Sequence, residues 1–189
     1  MGHVGIVTEG QPYAMPMLYA RADEVLYLHG APLSRLLKGL ADGIPMCLTV
    51  TLVDGLVLAR SAFHSSVNYR SVLVIGRGRA IRDRDEKLAA LDTLVEHMAP
   101  GRTREARGPS PQELRATEVI ELPIDEASAK IRTGPPADAA RDYALPIWAG
   151  ELPLGLAVGE PVSDERCSVP VSASALGWSR GRASELTPE

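Results

Sequence analysis

The chain has 189 residues, of which 45% are hydrophobic and 23% charged, and its formal net charge is −4. This length predicts one domain with a sizeable core. The charge balance gives no basic stripe for nucleic acid, and no segment has the roughly 20 apolar residues of a membrane span. Two cysteines, Cys47 and Cys167, exclude a disulfide framework and a four-thiolate metal site, so we expect a soluble, cytoplasmic protein that binds neither nucleic acid nor membranes.

The first 30 residues predict three short strands joined by polar turns. The second of these strands contains Pro16, which indicates an edge strand or a bulge because proline cannot donate a ladder hydrogen bond. Tight turns make neighbouring strands antiparallel. The expected meander consists of residues 4–7, 12–20 and 25–29.

A short helix and a long hairpin are predicted next. Four leucines at helical spacing form one apolar stripe; they are Leu33, Leu36, Leu37 and Leu40. Gly43 and Pro45 end this helix. The strongest strand covers residues 46–53, and Asp54-Gly55 predicts a hairpin turn into residues 56–60.

The rest of the chain continues the pattern of strands with few helices. The predicted elements are a strand over 69–81, a helix over 85–98, a strand over 119–132 and a last structured element over 143–148. Hairpins with short helices between them favour an antiparallel barrel over alternating β-α-β units. Periodicity fades beyond Gly155, and the end of the chain around residues 179–182 is expected to be mobile.

Two patterns are interpreted as structural. Gly76 and Gly78 follow a strand, but the third glycine of a dinucleotide-binding motif is missing and no helix is predicted there, so we interpret the pair as a bend in a barrel strand. The histidines lack the close spacing of zinc ligands; they are His3, His29, His64 and His97.

Two stretches carry polar groups that suit a ligand. A strand ends at His29-Gly30, and the helix that follows has Ser34 and Arg35 in its first turn, where free amides, a hydroxyl and a guanidinium suit a phosphate. The alternative to a phosphate site is that Arg35 is an ordinary surface arginine that contacts only water. Residues 68–71 lie at the mouth of a long strand, where polar groups can hydrogen-bond a flat heteroaromatic ring or simply face solvent.

The order of these segments resembles the pyridoxamine 5'-phosphate oxidase-like family. More narrowly, it is similar to the flavin-nucleotide-binding branch that includes nitroimidazole-resistance proteins. The resemblance covers roughly residues 3–154. The segments that carry it are Gly10–Tyr19, Leu26–Gly30, Ser34-Arg35, Tyr69–Gly76, Ala127–Pro136 and Tyr143–Gly150.

The resemblance implies a mainly β, antiparallel split barrel that forms a homodimer and binds FMN at the subunit interface. It implies an FMN-binding domain over residues 1–154 and a C-terminal extension over 155–189. A strand would run along the flavin, a turn and a helix start would hold its phosphate, and a tryptophan would close the site from the partner chain. The expected cofactor-binding residues are Met17, Leu18, Tyr19, His29, Gly30, Ser34, Arg35, Asn68, Tyr69, Arg70, Ser71 and Trp148.

Departures from the family leave the activity open. Met15 and Ala20 stand where the oxidase has an arginine and a lysine, and Leu36 stands where it has a basic residue, which argues against pyridoxamine phosphate oxidation. Three functions remain: an FMN-dependent oxidoreductase acting on a small molecule, with His29 as the first candidate proton donor and His64 as the second; a non-catalytic flavin carrier or sensor; and a haem protein with His29 or His64 as axial ligand.

Overall fold

The computed structural model describes residues 1–178, which form two antiparallel sheets and a few short helices. The strands are β1 (Gly2–Thr8), β2 (Gln11–Met17), β3 (Tyr19–Ala22), β4 (Val25–Gly30), β5 (Pro45–Leu58), β6 (Ser66–Arg77), β7 (Arg79–Ala80), β8 (Glu118–Pro123), β9 (Glu126–Arg132) and β10 (Gly150–Pro153). The helices are α1 (Arg35–Ala41), α2 (Arg84–Met98) and α3 (Pro111–Arg115), with a further helical segment over residues 173–178.

One sheet has six strands and the other has four. The six-stranded sheet has the order β2-β1-β5-β6-β9, with β10 also paired to β5, and the four-stranded sheet has the order β3-β4-β8-β7. The main core lies between the sheets and is aliphatic, with Leu28, Leu40, Leu48, Ile120 and Leu122 all nearly inaccessible to solvent. Burial of such side chains contributes about 1.5–3 kcal/mol each. The expected mainly β, antiparallel class is confirmed.

The first two predicted turns are confirmed, but the expected meander is not a single sheet. Glu9 and Gly10 both have positive φ (52° and 76°), as a two-residue hairpin turn requires. The segment predicted as one strand over 12–20 is split at Leu18, and its halves belong to different sheets. Pro16 lies in β2, which is an edge strand, as predicted.

The hairpin turn predicted at Asp54-Gly55 is wrong. The strand β5 runs through these residues without turning, and its pairing with β6 shifts between Val53 and Gly55, so Asp54 forms a β-bulge. An Asp-Gly pair suits a bulge as well as a turn. Here the carboxylate of Asp54 binds Arg70 on β6, and β10 pairs with the same end of β5. The chain turns later, over residues 59–65.

The glycine pair at Gly76 and Gly78 bends a strand, as predicted. It marks the corner where the chain leaves β6 in the six-stranded sheet and enters β7 in the four-stranded sheet. A Cβ on Gly78 would lie 2.5 Å from Ile120, and one on Gly76 would lie 3.0 Å from Leu122. Glycine therefore permits the close approach of this corner to β8.

The predicted helices are confirmed with one change at a boundary. Ser34 caps α1 by accepting a hydrogen bond from the Leu37 amide, so Leu33 lies before the helix and is 96% exposed instead of joining the apolar stripe. Asp83 caps α2 in the same way. The helix α2 covers the outer face of the four-stranded sheet, where Ala90 packs with Ile81 and Val119.

The later strands also differ from prediction. The single strand predicted over 119–132 is two strands, β8 and β9, because the chain changes sheets after Pro123. The strand at the end of the barrel, β10, begins after Trp148, whereas residues 140–144 form a 3-10 turn. The extension returns to the barrel at residues 172–178, where Glu105 accepts hydrogen bonds from Ser174. The segment predicted to be mobile, over 179–182, lies outside the described residues.

Candidate functional site

The segment expected to follow the flavin lies where the chain passes between the sheets. Met17 ends β2, Tyr19 begins β3, and Leu18 belongs to neither strand. Met17 and Tyr19 pack against the main core. The backbone of Leu18 is therefore outside both sheet ladders, where its polar groups are available to a ligand.

Next to this junction, His29 and Gly30 end the strand β4. Because side chains alternate along a strand, His29 faces α2 while Leu28 faces the main core. The Nδ1 atom of His29 is buried without a hydrogen-bond partner, and burial lowers the pKa of this imidazole below its ordinary value of 6.5. His29 is consequently neutral at pH 7. A Cβ on Gly30 would lie 3.2 Å from Leu37, so glycine lets α1 approach β4 closely.

Ser34 is the N-cap of α1, and Arg35 is the first residue of the helix. The Ser34 hydroxyl accepts the Leu37 amide at 3.3 Å, which leaves its own hydrogen free for donation. The Arg35 guanidinium donates to the Tyr13 hydroxyl and lies 5.4 Å from the centre of the Tyr13 ring. Lys38 follows Arg35 by three residues and lies on the same side of the helix.

The Arg35 guanidinium donates to the phenol of Tyr13, which does not neutralise its charge. By contrast, Arg21, Arg70 and Arg79 each form ion pairs with carboxylates at 2.7–3.0 Å. An exposed cation that is oriented by a neutral group is suited to an anionic ligand.

Asn68, which was expected to bind the cofactor, is buried and held in a polar network. Its amide donates to Glu151 at 2.6 Å and to the Gly134 carbonyl at 3.3 Å, and its oxygen accepts from Arg132. These bonds join β6 to β9 and β10. In this structure the amide ties three strands together.

The three residues after Asn68 alternate between the two faces of β6. Arg70 makes two hydrogen bonds with Asp54, at 2.7 and 3.0 Å, and these bonds lower the pKa of the Asp54 carboxyl. Ser71 is 3.3 Å from the Thr51 hydroxyl. Tyr69 lies beneath the ammonium of Lys130, which is 6.0 Å from the centre of its ring.

Trp148 is 66% exposed and lies at the base of β10. Its ring covers Gly150, since a Cβ at that glycine would be 2.9 Å from a ring carbon. Gly150 pairs with Leu58 at the end of β5. The exposed indole therefore lies beside the 59–65 turn, far along the sheet from α1.

Some of the predicted site residues line two separate cavities, and others line neither. The helix-side cavity, of about 560 Å³, lies between Leu18, His29 and the inner face of α2 and is bordered by residues 103–117. The sheet groove, of about 550 Å³, is lined by Tyr19, Arg70 and Ser71 together with aliphatic side chains. Neither lining includes Ser34, Arg35 or Trp148, so one chain does not gather all the predicted residues around one cavity.

Sequence reasoning missed the partners that hold the predicted residues. Tyr13 orients Arg35, Asp54 binds Arg70, and Glu151 binds Asn68. All three partners are distant in sequence from the residues they hold, so neither periodicity nor a local motif reveals them. A signal was available for Asp54 alone, because a bulge beside a long strand places an acidic side chain next to the neighbouring strand.

Comparison with known proteins identifies the family. A family model described as pyridoxamine 5'-phosphate oxidase matches residues 1–131. The flavocytochrome Anf3 from Azotobacter vinelandii is 41% identical, with 93% of this chain and 82% of that chain covered and a TM-score of 0.87. An FAD- and haem-binding protein from Mycobacterium smegmatis is 38% identical, with 93% and 87% covered and a TM-score of 0.90.

A third similar structure, from Bacteroides thetaiotaomicron, is assigned to 5-nitroimidazole antibiotic resistance; it is 29% identical, with 68% of this chain and 74% of that chain covered and a TM-score of 0.56. No curated protein sequence matches the chain significantly. The matched family model spans more than half of the chain, and two structures above 30% identity cover nearly all of it. The chain therefore belongs to the pyridoxamine 5'-phosphate oxidase family.

Proposed function

We propose that this protein is a flavin-dependent redox protein that acts as a homodimer in the cytoplasm. The flavin ring would lie along the β2–β3 junction at Met17, Leu18 and Tyr19, and its phosphate would lie at the turn from Gly30 into α1. The observation that carries this proposal is the Arg35 guanidinium beside the Ser34 hydroxyl: the Tyr13 hydroxyl orients it, and among residues 1–178 it forms no ion pair with a carboxylate. A guanidinium and a hydroxyl together suit a phosphate group.

Among flavins, FAD is the nucleotide that we propose for this site, in place of the FMN expected from the sequence. One similar protein is named as binding FAD and haem. A second phosphate would need further positive charge, and Lys38 supplies it on the same side of α1 as Arg35. FAD and FMN differ in the adenylate half alone, so the ring and first phosphate would use the same residues.

The identity of the flavin can be measured directly. The purified protein is denatured by heat, and the released flavin is separated by chromatography before and after phosphodiesterase treatment, which converts FAD to the more fluorescent FMN. We expect FAD. Release of FMN alone would overturn the choice of nucleotide but not flavin binding, and absence of any flavin after reconstitution would overturn both.

A bound flavin would supply the electron-transfer chemistry, and the protein would bind it, orient it and exclude water. His29 is the chain's candidate for holding a proton near the ring, because it is neutral at pH 7 and lies beside Leu18 in the helix-side cavity. The substitution His29→Gln keeps a hydrogen-bonding side chain but removes titration. If the neutral imidazole of His29 accepts a proton in the rate-limiting step, this variant will lose the acid limb of the rate profile while retaining flavin.

Turnover separates an enzyme from a carrier. We propose an oxidoreductase that acts on a small molecule. NADH or NADPH is offered as donor and a quinone or nitroaromatic compound as acceptor, and the flavin absorbance is followed in the steady state. If neither nicotinamide donor reduces the flavin and no acceptor is reduced, the carrier function is favoured.

The homodimer is supported by apolar side chains on the six-stranded sheet. On the two faces of this sheet, the apolar side chains that are at least 40% exposed are Val7, Met15, Leu52, Val53, Leu58, Val72, Ile75, Ile131 and Leu152. Apolar surface of this extent on one sheet is unusual for a monomer, and two-fold dimers are the commonest oligomers. Light scattering after gel filtration will give twice the mass of 20.2 kDa if the proposal is correct.

The cytoplasmic assignment rests on the thiols. Cys47 and Cys167 are both free, which favours a reducing compartment. No helix among residues 1–178 is long and apolar enough to cross a membrane.

Haem is a second candidate ligand, favoured by the helix-side cavity. The walls contributed by α2 are mostly apolar, and the cavity contains both His29 and Met98, side chains that serve as axial ligands to haem iron. Neutral imidazole is the form that binds metals, and an unpartnered Nδ1 indicates that the hydrogen-bonding capacity of His29 is unused. The residues therefore fit a haem group.

A Soret band after addition of haemin tests this candidate independently of the flavin spectrum. We expect His29→Ala to abolish the band and His64→Ala to leave it unchanged. The opposite pattern would move the axial ligand to His64, and an unchanged band in both variants would exclude both histidines.

A further inference from the structure

The loop between α2 and α3, residues 99–110, forms part of the wall of the helix-side cavity, which is lined by Thr103, Ala106, Arg107, Gly108 and Pro109 of this loop. Near its start, the loop is tied to α2 because the Glu96 carboxylate accepts hydrogen bonds from two of the loop's backbone amides, at 2.6 and 3.0 Å. Near its end, Arg107 makes two hydrogen bonds with Glu113 on α3, at 2.6 and 2.8 Å. Residues 104–106 lie between these two ties.

The middle of this α2–α3 loop is held by the C-terminal segment, residues 172–178. The Glu105 carboxylate accepts hydrogen bonds from the Ser174 amide, at 3.1 Å, and from the Ser174 hydroxyl. Arg102 donates to the Ser172 hydroxyl at 3.4 Å. Ser174 is 6% exposed, so water has little access to replace its contact with the loop. None of residues 172–178 lines the cavity, so the segment contacts the loop on a surface other than the cavity wall.

The same segment also holds the end of α2. The indole of Trp178 donates to the Met98 carbonyl at 2.8 Å. Carbonyl groups in the last turn of a helix lack partners within the helix, so this bond satisfies one of them. The Met98 side chain lines the cavity. The segment therefore fixes two adjoining parts of the cavity wall, the end of α2 and the middle of the loop.

The contacts of this segment are mainly polar and lie at the end of an exposed extension. Within residues 155–178, Ser174 is the one buried residue, and the extension contributes no side chain to either hydrophobic core cluster. A segment with few buried apolar contacts opens at a lower free-energy cost than the core does. The segment can therefore leave the barrel while both sheets stay folded.

We propose that residues 172–178 form a strap that sets the width of the helix-side cavity. While the strap is docked, it holds the α2–α3 loop against the cavity. When the strap leaves, the ties at Glu96 and Arg107 remain, and residues 104–106 move outwards between them. Small molecules then enter and leave the cavity faster. The inference concerns the wall of the cavity alone, so it requires neither a bound flavin nor a bound haem.

Hydrogen exchange tests the strap in the full chain without added ligand. Ser174→Glu removes the hydrogen bond from the hydroxyl and places a second carboxylate beside Glu105, so repulsion should release the strap. Ser163→Glu adds the same charge at an exposed serine of the extension and is the matched control. Amides of residues 102–108 should exchange at least fivefold faster in Ser174→Glu and within twofold of the original rate in Ser163→Glu. Unchanged exchange of the loop in Ser174→Glu would overturn the proposal.

An introduced thiol measures access to the cavity. Val95→Cys places a thiol on the cavity wall, in a chain whose two native cysteines are replaced by alanine. Leu91→Cys, on the same wall, takes its place if the first variant does not fold. The rate of reaction with the neutral reagent dithiodipyridine should rise at least fivefold when Ser174→Glu is added and stay within twofold when Ser163→Glu is added. Faster exchange of the loop without a faster thiol reaction would show that the segment does not control the cavity, and would refute the inference.

Discussion

Replacement of Arg35 by alanine tests the proposed phosphate site. Arg35 is exposed and its recorded hydrogen bond is to the Tyr13 hydroxyl, so its removal leaves no buried charge and the fold should be retained. A hydrogen bond to a charged group contributes about 1.5–3 kcal/mol. At about 1.4 kcal/mol per factor of ten, the dissociation constant for FAD should rise roughly 10- to 150-fold.

Tyr13→Phe gives a graded version of the same experiment. It removes the hydrogen bond that orients Arg35 but keeps the ring beneath the guanidinium. Because the guanidinium itself is retained, affinity should fall by less than it does in Arg35→Ala.

Both affinities are measured by titrating flavin-free protein with FAD and following the quenching of flavin fluorescence. Arg84→Ala is the matched control, because Arg84 is also exposed and lies at the start of α2, where it pairs with Asp85. If Arg35→Ala binds FAD as tightly as Arg84→Ala does, the phosphate does not lie at α1.

Two further predictions concern the scaffold. Gly78→Ala places a Cβ 2.5 Å from a side-chain carbon on β8, and overpacking of this kind lowers the free energy of unfolding by about 1–3 kcal/mol. Urea unfolding measures this loss. An unchanged midpoint would contradict the close approach of this corner to β8. The hydrogen bonds from Ser174 lower the pKa of Glu105 from 4.5 to about 2. Because the folded pKa is depressed, docking of the C-terminal segment is fully stabilised above pH 4.5 and weakens as pH falls towards 2. In the Trp148→Phe variant, the fluorescence of Trp178 should change when the segment is released at low pH. Adding Ser174→Ala should produce the same change at neutral pH. Fluorescence that changes in neither case would refute this prediction.

The sequence was sufficient for much of the fold because local signals decide many elements. The first polar turn, three of the four leucines in the stripe of α1 and the glycine corner at Gly78 each have a short-range physical cause, and each was predicted correctly. Changes of sheet are decided by tertiary contacts. The break at Leu18 and the passage from β8 to β9 after Pro123 leave no distinctive pattern, because both sheets accept the same alternation of side chains.

The Asp54-Gly55 error has a specific cause. A two-residue turn and a bulge prefer the same residues, and the choice between them is made by Arg70 and β10, which lie elsewhere in the sequence. The candidate site was likewise predictable only in part. Ser34 and Arg35 are adjacent in sequence, whereas the Tyr13 hydroxyl that orients Arg35 is 22 residues away.

Titration of the flavin-free protein with FAD, followed by absorbance, is the most direct test of the central claim. A flavin held at the β2–β3 junction should saturate at one molecule per chain, with its visible bands shifted and resolved by the protein environment. A spectrum that remains that of free FAD at protein concentrations in excess of the flavin would contradict the account.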